Sequence, residues 1–350
     1  MVKNNIKTRD YNMDLLRILA AFMVVVIHVS AHNFSDTPTK SIEWLSYNFY
    51  DSVVRSAVPI FLMISGAFFL TDRIQSNIKK LYTKNIFKLV IVFIIWSIIY
   101  VIFSLFTDRL TTDQIISSII TGHFHLWYLP VIIGIYIISP FIYRFIKNSD
   151  KTIFKYFIIL FIIACCCKTI SYLEFLPGYN YINLLFDNLP IDIICGFYSY
   201  FILGYFLHNY DISKRITKII YILAVASIFC CFIGTYILSR YSGYNNPNLM
   251  KEFSVFTLFE AVGLFLFFKN KVFVSKEIFS NRVSNMANCT LGIYVIHMLV
   301  MYTLFDLNLI QVRSFNTIIS VPIISVLIFL ISLVLVYFIR KIKFIGKWLF

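Results

Sequence analysis

Charge is scarce in this chain. Only 14% of its 350 residues are charged, against roughly 25% in an ordinary soluble domain. With 59% hydrophobic residues and a mean hydropathy of +0.81, that scarcity excludes a soluble globular protein. Glycine is sparse too, at 11 residues, and no stretch forms a glycine-rich phosphate loop. The metal signatures HExxH and paired CxxC are missing, so nothing in the sequence calls for a metal. The seven cysteines (Cys165, Cys166, Cys167, Cys195, Cys230, Cys231 and Cys289) all fall in apolar stretches. That placement points to packed free thiols and away from a disulfide framework, and the Cys165–Cys167 run is read the same way in preference to a reactive or lipidated site. No small-residue cleavage site follows the first apolar run, which therefore reads as a retained span and not a signal peptide.

What the chain does have is apolar runs of about 20 residues, the length that crosses a hydrocarbon core about 30 Å thick. Ten such spans are expected, near 13–32, 51–70, 87–106, 126–146, 153–170, 190–208, 216–238, 252–268, 289–306 and 317–340. They must be helical, because backbone polar groups find no water in the bilayer core. The expected fold is an all-α polytopic membrane bundle, a single domain over residues 1–350 with no loop long enough for a second one.

Basic residues mark the sides. Lys3, Lys7 and Arg9 precede the first span; Arg73, Lys79, Lys80, Lys84 and Lys88 follow the second; Arg144, Lys147, Lys151 and Lys155 follow the fourth. Lys214, Arg215 and Lys218 follow the sixth, Lys269, Lys271, Lys276 and Arg282 the eighth, and Arg340, Lys341, Lys343 and Lys347 the tenth. The alternate loops hold only Lys40, Arg109, Lys168, Arg240, Lys251 and Arg313. The alternation predicts both termini in the cytoplasm. It also accounts for the net charge of +14 without any nucleic acid, since basic loops face anionic lipid and can meet an anionic cytosolic ligand. The outer loops 33–50, 107–125 and 171–189 are polar enough to cover an outward cavity.

The first span carries Asp14, Arg17 and His28. At 100° per residue an eleven-residue step closes to within about 20°, so Arg17 and His28 share one helix face about 16 Å apart. Asp14 lies one turn before Arg17 and pairs with it; His32 lies one turn beyond His28. Charges inside a bilayer are costly and usually face a bundle interior or a water-filled cavity. Arg17 also has the option of snorkelling to the headgroups, and His28 that of a neutral, hydrogen-bonded core histidine. An imidazole, with its ordinary pKa of about 6.5, equally suits general-base work. Arg55 is placed at the outer end of the second span, with Pro59 inside it; His123, His125, Trp127 and Tyr128 open the fourth; Glu260 and His297 sit inside the eighth and ninth. Interfacial His and Tyr are commonly anchors, and His123 with His125 lacks an evident third metal ligand.

Four blocks in order resemble the acyltransferase-3 family of ten-helix membrane acyltransferases. They are DLLRILAAFMVVVIH, with Arg17 and His28; VRSAVPIFLMISGAFFL, with Arg55, Pro59, Ser65 and Gly66; HLWYLPVIIGIYIISPFI, with His125, Trp127, Tyr136 and Pro140; and LGIYVIHMLV, with Gly292, Tyr294 and His297. Within the family the chain looks most like the enterobacterial common antigen O-acetyltransferase type. The resemblance implies a bacterial cell-membrane O-acetyltransferase with no bound cofactor. It implies acetyl-CoA, or another acyl-CoA, as cytoplasmic co-substrate, and a cell-envelope polysaccharide or lipid-linked oligosaccharide as acceptor. It implies His28 and Arg17 as the catalytic pair, with Asp14, Arg17, Lys79, Lys80 and Lys84 toward the donor and Arg55, His125, Trp127 and Tyr128 toward the acceptor. His32, Glu260, Tyr294 and His297 are candidate cavity residues. Where the family has an arginine-rich stretch after the second span, this chain has KKLYTKNIFK, and lysine lacks the bidentate fork of arginine. A polar channel among many spans also fits a lipid-linked glycan transporter or polymerase.

Overall fold

A computed structural model describes residues 9–107, 111–271, 277–342 and 345–350. Of the basic residues read above, Lys3, Lys7, Arg109, Lys276 and Lys343 lie outside them. Among the described residues every regular element is helical. The principal helices are α1 (Tyr11–Ala31), α2 (Ile42–Val54), α3 (Ala57–Phe69), α4 (Phe87–Phe106), α5 (Tyr128–Asn148), α6 (Lys151–Ile170) and α7 (Phe197–Asn209). They continue with α8 (Lys214–Ser242), α9 (Val255–Asn270), α10 (Glu277–Ala287), α11 (Thr290–Asp306), α12 (Thr317–Lys341) and α13 (Ile345–Leu349).

Among the described residues, seven helical runs are long and apolar enough to cross a membrane, and α10 with α11 makes an eighth if this pair, bent by 55°, counts as one span. Each of the ten expected segments coincides with a helix. Two of those helices are short: α7 has 13 residues and α9 has 16. At 1.5 Å per residue they reach only about 20 and 24 Å, less than the hydrocarbon thickness. Helix α7 starts late because Pro190 and Gly196 break the segment before it.

The second span departs most from expectation. It begins at Ile42, nine residues before the apolar run, and α2 with α3 forms a 28-residue crossing. Ser41 starts it by accepting the backbone N–H of Trp44 at 3.1 Å, an N-cap. Asn48, Asp51 and Ser52 make the segment look like a loop, but all three are buried against other helices. Arg55 is therefore not at the outer end of a span; it sits at the α2–α3 junction, in the middle of one.

Helix α1 is the axis of the bundle, packed by α2, α3, α9, α10, α11 and α12. Asp10 caps it by accepting the backbone N–H groups of Asn12 and Met13, each at 3.1 Å. Helix α8 shows what the solvent is. It exposes Ile216, Ile219, Ile222, Val225, Phe229 and Ile233, and buries Ser227, Thr235 and Ser239. Apolar-out, small-and-polar-in is the arrangement of a helix facing lipid. Helices α3 and α7 meet backbone to backbone: a Cβ added at Gly66 would lie 1.7 Å from the carbonyl oxygen of Phe201, and one at Gly204 would lie 2.0 Å from that of Met63. Only glycine permits that approach.

Chain ends and basic residues gather at one end of the bundle. Arg9 donates to the carbonyl of Ser284 at 3.1 Å and to Asn288 Oδ1 at 3.0 Å. Trp96 Nε1 donates to the carbonyl of Leu349 at 3.0 Å.

Candidate functional site

The face of α1 predicted from the eleven-residue step opens onto a cavity of about 320 Å³. Arg17 and Val24 line it from α1, Phe61 and Ser65 from α3, Tyr128 and Tyr136 from α5, and Asn288 and Tyr294 from the α10–α11 side. Arg17 is 31% exposed, and its guanidinium pairs with Asp14 at 3.4 Å. Asp14 is nearly buried and also holds Arg9 at 2.5 Å. One carboxylate thus orients two guanidinium groups, and the charge of Arg17 remains available to the cavity. Tyr128 and Tyr294 close its far side, their rings 5.7 Å apart edge to face.

Beyond those tyrosines lies a cluster of imidazoles. His28 is 5.1 Å from His297 and 6.1 Å from His125 between ring centroids, and His125 is 5.3 Å from His297. His123 joins through a 2.7 Å contact between its Nδ1 and that of His125. The Tyr294 hydroxyl donates to the carbonyl of His125, tying the cluster to the cavity wall. His297 Nδ1 lies 2.7 Å from the carbonyl oxygen of Tyr294. A carbonyl only accepts, so Nδ1 carries the proton and Nε2 is left with its lone pair. Among the described residues that Nε2, like the Nε2 of His125, is buried without a hydrogen-bond partner. His28 is half-buried, packed by the rings of Phe124, His125 and His297, and within reach of the Arg55 charge. An imidazole with both nitrogens uncommitted beside another with a bare lone pair can take up and pass on a proton.

Tyr100 holds the cluster in place. Its hydroxyl donates to the carbonyl of Val295 at 2.8 Å and accepts the N–H of Leu299 at 3.1 Å, wedging into the turn of α11 that carries His297. Its ring stacks on His123 at 4.5 Å. Sequence reasoning missed this residue, since a tyrosine in an apolar helix carries no pattern of its own. Asn288 was missed as well; its only signal is the break between α10 and α11.

The remaining predicted residues are dispersed. Trp127 packs its ring on Phe197 at 5.5 Å and does not line the Arg17 cavity, whereas the adjacent Tyr128 does. Arg55 is ion-paired with the buried Asp51 one turn earlier, away from the cavity wall. His32 is exposed, with its ring 4.9 Å from Phe305. Glu260 lies in a different, apolar groove. At the basic end, Lys80 and Lys84 line a pocket of about 460 Å³ together with Arg73. Lys84 also borders a second pocket, of about 730 Å³, with Lys88, Arg340 and Trp348. Lys79 is exposed and lines neither. Lys84 sits in a π-helical stretch, Leu81–Ile86, a rare form that concentrates at functional sites and that no residue pattern announces. Among the described residues, no three His, Cys, Asp or Glu side chains are placed to hold a metal ion.

A family model described as an acyltransferase domain matches residues 10–337, nearly the whole chain. An amino-acid racemase of Enterococcus faecalis is 24% identical over 364 aligned residues, which cover 96% of this chain and 47% of the racemase. The chain therefore spans about half the length of that curated relative. No solved structure matches.

Proposed function

The chain belongs to the acyltransferase-3 family and is a membrane acyltransferase, and on that premise we propose that it moves an acetyl group from acetyl-CoA to a hydroxyl of a cell-envelope glycan. The observation that carries this reading is the stacking of two environments along one face of α1: a charged cavity at Arg17 and an imidazole cluster at His28.

A coenzyme A thioester is long, with an anionic nucleotide at one end and the reacting carbonyl at the other. Its phosphates fit the basic pockets at Arg73, Lys80, Lys84, Lys88 and Arg340, on the side that the charge pattern assigns to the cytoplasm. Its arm fits the Arg17 cavity, where the guanidinium binds a phosphate or amide oxygen. The acceptor hydroxyl approaches from the opposite side. His28 takes the hydroxyl proton as the oxygen attacks the thioester carbonyl; the C–S bond breaks, and the thiolate leaves and is protonated. His297, whose Nε2 lone pair faces the same cluster, shares the positive charge that His28 acquires. Arg55, His125, Trp127 and Tyr128 are assigned to the acceptor side, as the resemblance implies. The racemase relative is about twice as long, and its activity is not carried over.

Proteoliposomes supplied with labelled acetyl-CoA and an envelope glycan extract test the reading. Label in the glycan supports it, and glycan movement that needs no acetyl-CoA overturns it in favour of transport.

A further inference from the structure

On the face of α1 opposite Arg17, Val24 and His28, the bundle has a second cavity of about 610 Å³. That size lies within the roughly 300–1,000 Å³ of small-molecule sites. Leu19 and Phe22 form its floor on α1, Val54 closes one side, and Ile228 of α8 faces them. Helix α9 contributes Glu260, Gly263, Leu264 and Phe267, the i, i+3, i+4, i+7 stripe of one helix face. Val225 of α8 and Phe267 of α9, both lining the cavity, are 56% and 39% exposed. The groove is thus apolar and opens sideways into the membrane.

One group does not fit that description. Glu260 is 3% exposed, lines the groove, and among the described residues has no hydrogen-bond partner for either carboxyl oxygen. Arg55, whose charge acts on it, gives its Nη2 to Asp51 and makes no hydrogen bond to Glu260. A buried carboxyl with nothing to bond is costly in any setting, and more so among aliphatic side chains. The cost is relieved by a ligand that is apolar along its length and polar at one point. A phosphate only accepts hydrogen bonds and would repel a carboxylate. A hydroxyl both donates and accepts, so it satisfies Glu260 whether or not the carboxyl is ionised.

We propose that this groove is a lipid site that takes one hydrocarbon chain bearing a hydroxyl, with the hydroxyl bonded to Glu260 and the chain lying along Leu264 and Phe267 toward the membrane. The site is separate from the donor cavity and does not depend on the acyl-transfer reading.

The full chain in nanodiscs, photolabelled with a diazirine-bearing long-chain alcohol and mapped by peptide mass spectrometry, tests it. Saturable labelling on α8 and α9, displaced by unlabelled hexadecanol, is the expected result. Glu260→Leu removes an unpartnered carboxyl without removing volume, so it leaves the fold intact and lowers labelling at least about five-fold, the worth of one hydrogen bond. Ile228→Trp, which fills the groove and keeps Glu260, lowers it as well. The same diazirine probe without its hydroxyl, which can neither donate nor accept, labels as weakly as the Glu260→Leu variant. His28→Ala labels like the wild type, so loss of acetyl transfer and loss of this site are told apart. Labelling that does not saturate, that is equal with and without the hydroxyl, or that is unchanged in both variants identifies ordinary boundary lipid and overturns the proposal.

Discussion

A proton acceptor must keep a ring nitrogen uncommitted, and His28 keeps both. Replacing it with alanine should lower acetyl transfer by about 10²–10⁴-fold, the usual worth of a positioned acid–base group. Expression and melting temperature should stay near wild type, because its neighbours are ring edges and not bonded partners. Labelled transfer in proteoliposomes reads the first effect, and thermal unfolding of the purified protein reads the second. Arg17→Ala should raise the acetyl-CoA concentration needed for half-maximal rate, and Arg17→Lys should restore it only in part, since an ammonium cannot grip two oxygens from one plane. A titration of rate against donor distinguishes the three proteins. At this scale the sequence was most readable where geometry is arithmetic. The eleven-residue step placed Arg17 on a cavity and pointed to His28 above it, and the three-residue step paired Asp14 with Arg17. Tyr100 could not be read, because its role comes from two hydrogen bonds to the backbone of a helix almost 200 residues away.

Between elements, the informative contact is the one with least room. Gly204→Val should collapse the α3–α7 pairing, because the neighbour is a backbone carbonyl that cannot turn aside. Overpacking typically costs about 1–3 kcal/mol, and the upper end is expected here. Gly134, in α5, has nothing within 4 Å of an added Cβ, so Gly134→Ala should gain about 1 kcal/mol of helix propensity. Melting curves in one detergent compare the two substitutions directly. The apolar runs revealed most helices at this scale, because lipid demands a hydrophobic exterior over a fixed length. Helix α2 escaped for the same reason turned inward: Asn48, Asp51 and Ser52 face other helices, where polar side chains serve as links and not as contacts with water. Arg55 was misplaced along with it.

For the molecule as a whole, charge is sorted to one end. Reversing Lys80, Lys84 and Arg340 to glutamate should weaken donor binding most at low ionic strength and progressively less as salt screens the field. Binding isotherms over a salt series measure this, and a salt-independent loss would place the coenzyme elsewhere. The charge pattern made this end legible in the sequence, but not the pockets that divide it, which depend on the π-helical stretch and on α13 folding back beside α4.

At Gly66 and Gly204 the backbones of α3 and α7 pack without a side chain between them. With their backbones touching, α3 and α7 cannot slide or tilt independently and act as a single beam. The Arg17 cavity is therefore bounded by one stiff wall, Phe61 and Ser65, and by one articulated wall at Asn288, where α10 meets α11 at 55°. Breathing wide enough to admit a bulky thioester must come from the articulated side. Spin labels across α3 and α7 should report one narrow separation with or without acetyl-CoA, while labels across α3 and α10 should broaden and shift.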